Sequence, residues 1–197
     1  MSLDHAIMGF LSSEDSTGYD LKTRCFDRLA SHYWTADQAQ IYRTLDRLER
    51  QGLVSAKLQV QRGRPDRNVY KLTAAGRKSL DGWLEDYHPA PPNRDPFLIQ
   101  IAFADHLSDS ATLELFARAR EERQTRLEAL RSHATKLGEE SEDGTNRGVM
   151  LERMTYDAAL ARERATIDWL DDCVESIRAT TTSTTSKRRS SRKEPPR

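Results

Sequence analysis

The stretch Trp34-Thr35-Ala36-Asp37-Gln38-Ala39-Gln40-Ile41-Tyr42-Arg43-Thr44-Leu45-Asp46-Arg47-Leu48-Glu49-Arg50-Gln51-Gly52-Leu53-Val54 decides how the chain folds. It reads as a short amphipathic helix with its own start and stop. Thr35 and Gln38 have the spacing of a capping box, in which a hydroxyl accepts from the third helical N–H and an amide reaches back. Gly52 stands where a helix ends on a residue that tolerates positive φ. Ile41, Leu45 and Leu48 fall on one side at i, i+4 and i+7, a core-facing stripe. The opposite side carries Ala36, Gln40, Arg43, Asp46, Arg47 and Arg50, with Tyr42 on the flank. Arg and Gln suit purine edges and phosphates, so this face fits DNA. A solvated face on a surface helix has the same composition.

Directly after Gly52 the period of apolar residues shortens to every second position. Val54, Ala56, Leu58 and Val60 alternate with Ser55, Lys57, Gln59 and Gln61, the pattern of a half-buried strand. Gly63, Pro65 and Asp66 then mark a turn. A second strand from Asn68 to Leu72 puts Tyr70 and Leu72 on one face. The expectation is an antiparallel hairpin whose tip bears Arg62, Arg64 and Arg67.

Upstream, residues 3–12 read as a helix through Ala6, Ile7, Phe10 and Leu11. Thr17-Gly18-Tyr19-Asp20 opens a second helix, with Leu21, Cys25, Phe26 and Leu29 turned inward. Gly18 serves either the turn or a close approach of two helices. Downstream, Thr73 caps a helix striped by Leu80, Trp83, Leu84 and Tyr87. Residues 1–87 therefore form one domain.

Prolines at 89, 91, 92 and 96 make residues 88–96 a stiff linker. It closes on Asp95-Pro96, a cap followed by a first-turn proline, and Phe97, Ile101 and Ala104 continue that helix. From about Ser110 to Leu137, Leu113, Leu127 and Ala134 share one heptad position, and Phe116, Leu130 and Leu137 another. Arg120 and Arg123 interrupt both, which suggests a partner-facing helix and not a clean coiled coil. A final helix, Arg147 to Ile177, has two apolar stripes. Leu151, Met154, Ala158, Ala161 and Ala165 form one; Leu160, Ile167, Leu170, Val174 and Ile177 form the other. Two apolar faces need two surfaces, and the second fits an identical subunit. Residues 97–178 are thus a helical dimerisation and effector domain. The Ser/Thr-rich, then basic, segment 179–197 is expected to be a disordered, solubilising tail.

The 197 residues carry 31 basic and 31 acidic side chains, a net charge of zero. That balance excludes a globally basic nucleic-acid binder but hides local asymmetry. Residues 1–87 sum to +1, residues 88–178 to −6 and residues 179–197 to +5. Cys25 and Cys173 form no disulfide framework and no zinc spacing, and the five histidines are scattered. Cys25 lies within an apolar stripe, as an inert core thiol does. There is no phosphate loop and no nucleophile motif, so an enzyme, a metal site and a cofactor are not expected. Nor is a membrane span or a secretory signal, which points to a soluble cytoplasmic protein.

Helix, helix, helix, hairpin, helix is the order of a winged helix-turn-helix. Its reading helix enters the major groove, and its hairpin tip reaches the backbone or minor groove. The fold class is mainly α with a small β-hairpin: a winged helix-turn-helix domain followed by an α-helical dimerisation domain. Arg43 and Arg47 on the helix, with Arg62, Arg64 and Arg67 on the wing, fall where DNA contact would use them. A winged helix used only for protein contacts, the alternative class, has no need of that set.

The N-terminal half also resembles the PadR family of bacterial transcriptional regulators. The matching pieces are Ile7-Met8-Gly9-Phe10-Leu11, Gly18-Tyr19-Asp20-Leu21 and Gln40-Ile41-Tyr42-Arg43-Thr44-Leu45-Asp46-Arg47-Leu48-Glu49 with Gly52-Leu53-Val54. Gly63-Arg64-Pro65-Asp66-Arg67 and Tyr70-Lys71-Leu72-Thr73-Ala74-Ala75-Gly76 complete the set. Arg43 stands where many members have proline. The resemblance implies a homodimeric repressor on double-stranded DNA, with reading helices roughly 34 Å apart on a pseudo-palindrome. Gln40 and Tyr42 would approach bases or phosphates. Thr35 and Gln38 would lie at the helix N-terminus, which favours phosphate. A small aromatic effector is implied as well. Trp83 and Trp169 either stack on it or serve as packing residues, the commoner role of buried aromatics.

Overall fold

The computed structural model describes residues 2–60, 66–90, 94–139 and 146–191. The chain divides into two units, Met1–Pro91 and Pro92–Arg197, with the break inside the proline-rich stretch.

The first unit runs α1 (Ser2–Ser13), β1 (Ser16–Thr17), α2 (Gly18–Asp20), a π-helical continuation (Leu21–Leu29), α3 (Gln38–Arg50), β2 (Val54–Gln59), β3 (Arg67–Leu72) and α4 (Ala74–Glu85). Ile7, Met8 and Leu11 of α1 pack against Ile41, Leu45 and Leu48 of α3, with Leu21, Phe26, Val54, Tyr70 and Leu80 closing the core. Each such aliphatic side chain, fully buried, contributes about 1.5–3 kcal/mol. The order of elements and the hairpin are those expected from the sequence.

Leu84 and Tyr87, read as part of the α4 stripe, are exposed. Several further details depart from the expectation. First, β1 pairs antiparallel with β3, Ser16 opposite Tyr70 and Thr17 opposite Val69, so the sheet has order β1-β3-β2. Two polar residues are too short a run to show alternation. Second, the helix after α2 is π-wound: the Ala30 N–H donates to the Cys25 carbonyl at 2.8 Å. The wider turn buries Leu21, Phe26 and Ala30 and leaves Leu29, expected inside, exposed. Third, β2 ends at Gln59. Val54 is buried, but Leu58 and Val60, expected inward, are exposed because the hairpin runs past the helices that cover its other end.

The second unit holds α5 (Pro96–Ala102), a 3-10 turn (Ala104–His106), α6 (Asp109–Glu139) and α7 (Arg147–Ser191). As expected, Asp95 caps α5, its carboxylate accepting from the Phe97 N–H at 2.9 Å. Leu127 and Leu130 of α6 pack against Tyr156, Ala159, Leu160 and Ile167 of α7. The seam of α6, expected to face a partner, lies against α7 of its own chain. Both arginines that break the heptad are rungs of that seam: Arg120 donates to both Asp171 oxygens at 2.6 and 3.1 Å, and Arg123 to Glu163 at 3.4 Å. On α7 the Leu160–Ile167–Leu170 stripe is buried and the Leu151–Met154–Ala158–Ala161–Ala165 stripe is exposed throughout.

α7 continues to Ser191, past residue 179, where the disordered tail was expected to begin. Extending an existing helix avoids the nucleation cost that an isolated polar segment would meet. Residues 192–197 lie outside the described residues. No helix among the described residues is long and apolar enough to cross a membrane.

Candidate nucleic-acid interface

α3 starts two residues later than its sequence suggests. Its cap is Asp37: the carboxylate accepts from the Gln40 N–H at 2.7 Å, and Gln40 Oε1 accepts from the Asp37 N–H at 3.1 Å. This replaces the expected Thr35–Gln38 box. Both triplets have capping spacing, and burial of Ala36 in the core decides between them, because a buried Ala36 cannot sit on the outer face of the first turn. Gln38 becomes the first helical residue, exposed at the N-terminus, with Thr35 exposed just before it. Gln40 is committed to the cap. At the other end the Leu53 N–H reaches the Leu48 carbonyl and the Gly52 N–H the Glu49 carbonyl, both at 2.9 Å, with Gly52 at φ +70°. That is a Schellman closure, and it directs the chain straight into β2.

The exposed side of α3 carries Tyr42, Arg43, Asp46, Glu49 and Arg50. Arg50 Nε donates back to the Asp46 carbonyl at 3.2 Å. Arg43 is exposed and points away from the core. Arg47, expected beside it, is instead held by Asp4 of α1 in an ion pair. Its Nε is buried, with no hydrogen-bond partner in the described structure.

Tyr42 is held against a neighbouring backbone. A Cβ at Gly18 would lie 2.6 Å from a Tyr42 ring carbon, so the ring lies directly on the Gly18 backbone. Gly18 thus serves a close approach, one of the two roles its sequence allowed. Thr17 fixes this corner: its hydroxyl accepts from the Asp20 N–H at 3.1 Å while the Asp20 carboxylate takes the Thr17 N–H at 3.3 Å and its hydroxyl at 2.7 Å. The Thr17 hydroxyl bond holds the Asp20 carboxyl below the usual carboxylate range.

Between this corner, α3 and the wing lies an open cleft of about 520 Å³, lined by Thr17, Tyr19, Tyr42, Asp46, Asp66, Arg67, Asn68 and Tyr70. At its rim Arg67 Nε donates to Gln59 Oε1 at 2.8 Å, across the last pair of the β2–β3 ladder. Arg67 therefore stands at the end of the ladder nearest the tip. Arg62 and Arg64, expected at the tip, lie outside the described residues.

The two candidate effector tryptophans are in different units. Trp83 stacks with both His5 and His88, each with ring centroids 4.6 Å away and planes within 10°. His88 Nε2 also lies 2.8 Å from the Trp83 carbonyl. With histidines stacked on its ring, Trp83 has the surroundings of a packing residue. Trp169 meets Phe97 edge to face at 6.4 Å, and Phe97 meets Phe116 likewise at 6.2 Å. Trp169 stays 37% exposed, so part of its ring is open to a ligand or a partner. Burial pushes the Cys25 thiol up to about 11, which keeps it protonated and unreactive at neutral pH.

Residues 7–82 match the transcriptional regulator PadR-like family, and residues 93–178 match the family described as virulence activator alpha C-term. A protein of Mycobacterium tuberculosis named as a probable transcriptional regulator is 32% identical over 196 residues, covering 90% of this chain and 98% of that one. The negative transcriptional regulator PadR of Bacillus subtilis is 28% identical, covering 89% and 97%. Its structure with operator DNA superposes with a TM-score of 0.79 at 25% identity, covering 90% of this chain and 99% of that one. Its structure with p-coumaric acid gives 0.75 at 26% identity, with the same coverage.

Proposed function

The chain belongs to the PadR-like family of transcriptional regulators, and on that premise we propose that it is a homodimeric repressor of a pseudo-palindromic operator, released by a small planar aromatic compound. One observation carries the DNA-binding reading. Tyr42 and Arg43 project from an exposed α3 face, and Tyr42 lines one cleft with Arg67 of the wing, in a fold that superposes on a relative solved with operator DNA. Arg43 and Tyr42 would meet the major groove. Arg67, extended along the sequence by Arg62 and Arg64, would hold the backbone. Gln38 and Thr35 would lie where helix N–H groups attract a phosphate. Gln40 and Arg47, bound within the unit, are left out of the contact set.

Dimerisation would bury the exposed stripe of α7, on which Met154 is 54% and Leu151 45% exposed. Repression and an aromatic effector are carried over from the Bacillus relative, named a negative regulator and solved with p-coumaric acid. Trp169 is the better candidate of the two tryptophans, because Trp83 is already stacked. A gel shift with DNA from upstream of the protein's own gene, at low and at moderate salt, tests the reading. A retarded complex weakened by salt is expected; no complex at low salt sinks it. Quenching of Trp169 fluorescence by p-coumaric acid, lost in Trp169→Phe, tests the effector site.

A further inference from the structure

We propose that Asp4 withholds Arg47 from DNA, keeping the reading helix electrically neutral. This rests on the DNA-binding reading above and adds a residue outside α3 that sets how the helix grips phosphate.

The exposed face of α3 carries two arginines, Arg43 and Arg50, and two acids, Asp46 and Glu49. Arg47 is the remaining cation of the helix, and its charge decides whether that surface is neutral or positive. It projects on the same flank as Arg43, within one turn, so a rotamer change would carry its guanidinium toward the groove-facing side. The side chain is turned the other way. Asp4, in the first turn of α1 and only 13% exposed, takes the guanidinium in an ion pair. Arg47 Nε is buried there without a hydrogen-bond partner in the described structure. A guanidinium has five donors in a planar fork, and this orientation leaves one of them buried and unused. Among the described residues, the Asp4 carboxylate holds it.

Phosphate contacts add affinity without sequence information. Keeping Arg47 away from them lowers binding to every duplex alike, and leaves discrimination to the side chains that do reach the groove. Asp4 acts here as a positioning residue. It touches no DNA and works through Arg47.

The test measures the dependence of log Kobs on log salt for the full-length protein. It uses the upstream duplex and an unrelated duplex of equal length. Asp4→Asn keeps the side-chain shape and removes the charge. Released Arg47 would add one phosphate contact, so the slope should steepen by about 0.9 on both duplexes, with tighter binding at low salt. The double variant Asp4→Asn/Arg47→Gln should return to the wild-type slope. Asp4→Ser repeats the measurement should Asn impair folding, which a thermal melt reports. A folded Asp4 variant whose slope is unchanged or shallower overturns the proposal while leaving the DNA-binding reading intact. Wild-type protein that binds neither duplex overturns both.

Discussion

The Tyr42 ring lies on the backbone of Gly18, so close that a methyl group at Gly18 would overlap it at 2.6 Å. This contact joins the reading helix to the corner where β1 meets α2, and it sets the angle at which Tyr42 leaves the protein surface. The capping box of Thr17 and Asp20 locks the Gly18 backbone from beneath.

Gly18→Ala should therefore displace Tyr42 with little effect on the rest of the unit. Overpacking costs roughly 1–3 kcal/mol, while alanine in place of glycine near a helix start offsets up to about 1 kcal/mol. The thermal midpoint should move little, and affinity for operator DNA should fall about tenfold. Urea unfolding and fluorescence anisotropy on the same protein separate the two effects.

Asp37→Ala removes the cap of α3. Loss of such a cap costs about 1 kcal/mol, read as a lower urea midpoint with an unchanged m-value. The Gln40 side chain keeps its partner, the Asp37 backbone N–H, so the sequence preference of binding should stay as in wild type.

Met154→Asp places a charge in the exposed α7 stripe, away from the Leu127–Leu160 core. The expected result is a monomer by sedimentation equilibrium with α-helical content retained. Affinity for a palindromic duplex should fall far more than affinity for a half-site.

Acid should weaken both units through two carboxylates. Asp20 is held low by the Thr17 hydroxyl, and Asp171 by its hydrogen bonds to Arg120. A carboxylate whose folded pKa is depressed contributes stability that is present above its unfolded value and lost as pH falls through its folded value. Stability should thus be flat near neutrality and decline below about pH 4. In Asp171→Asn the decline of the helical unit should be shallower, as followed by circular dichroism at a series of pH values.

Much of this architecture was legible in the sequence because it is written in periodicity. The 3.6-residue stripe of α3 and the two-residue alternation after Gly52 each have one structural solution. What was not legible depends on competition between neighbours. Thr35–Gln38 and Asp37–Gln40 are equal as capping patterns, and only the burial of Ala36 selects the second. Arg47 looks solvent-facing on a helical wheel, and its ion pair with Asp4 depends on how α1 lies against α3, a relation between residues 43 positions apart. Arg120 and Arg123 look like defects in a heptad because their acids are on another helix. The π-winding after Leu21 leaves no mark in the apolar pattern except Leu29, which is apolar and yet exposed.

In the proposed complex, α3 and the wing of the first unit would grip double-stranded DNA through Arg43 and its neighbours. Titration of a labelled upstream duplex with wild type and Arg43→Ala across a salt series tests it most directly. Wild-type binding should be salt-sensitive, and Arg43→Ala should bind more weakly with a slope shallower by about 1 if the contact is to phosphate, or show relaxed specificity at one position costing about 1–3 kcal/mol if it is to a base. Wild-type binding that ignores salt, or an Arg43→Ala protein that binds and discriminates as wild type does, would contradict it.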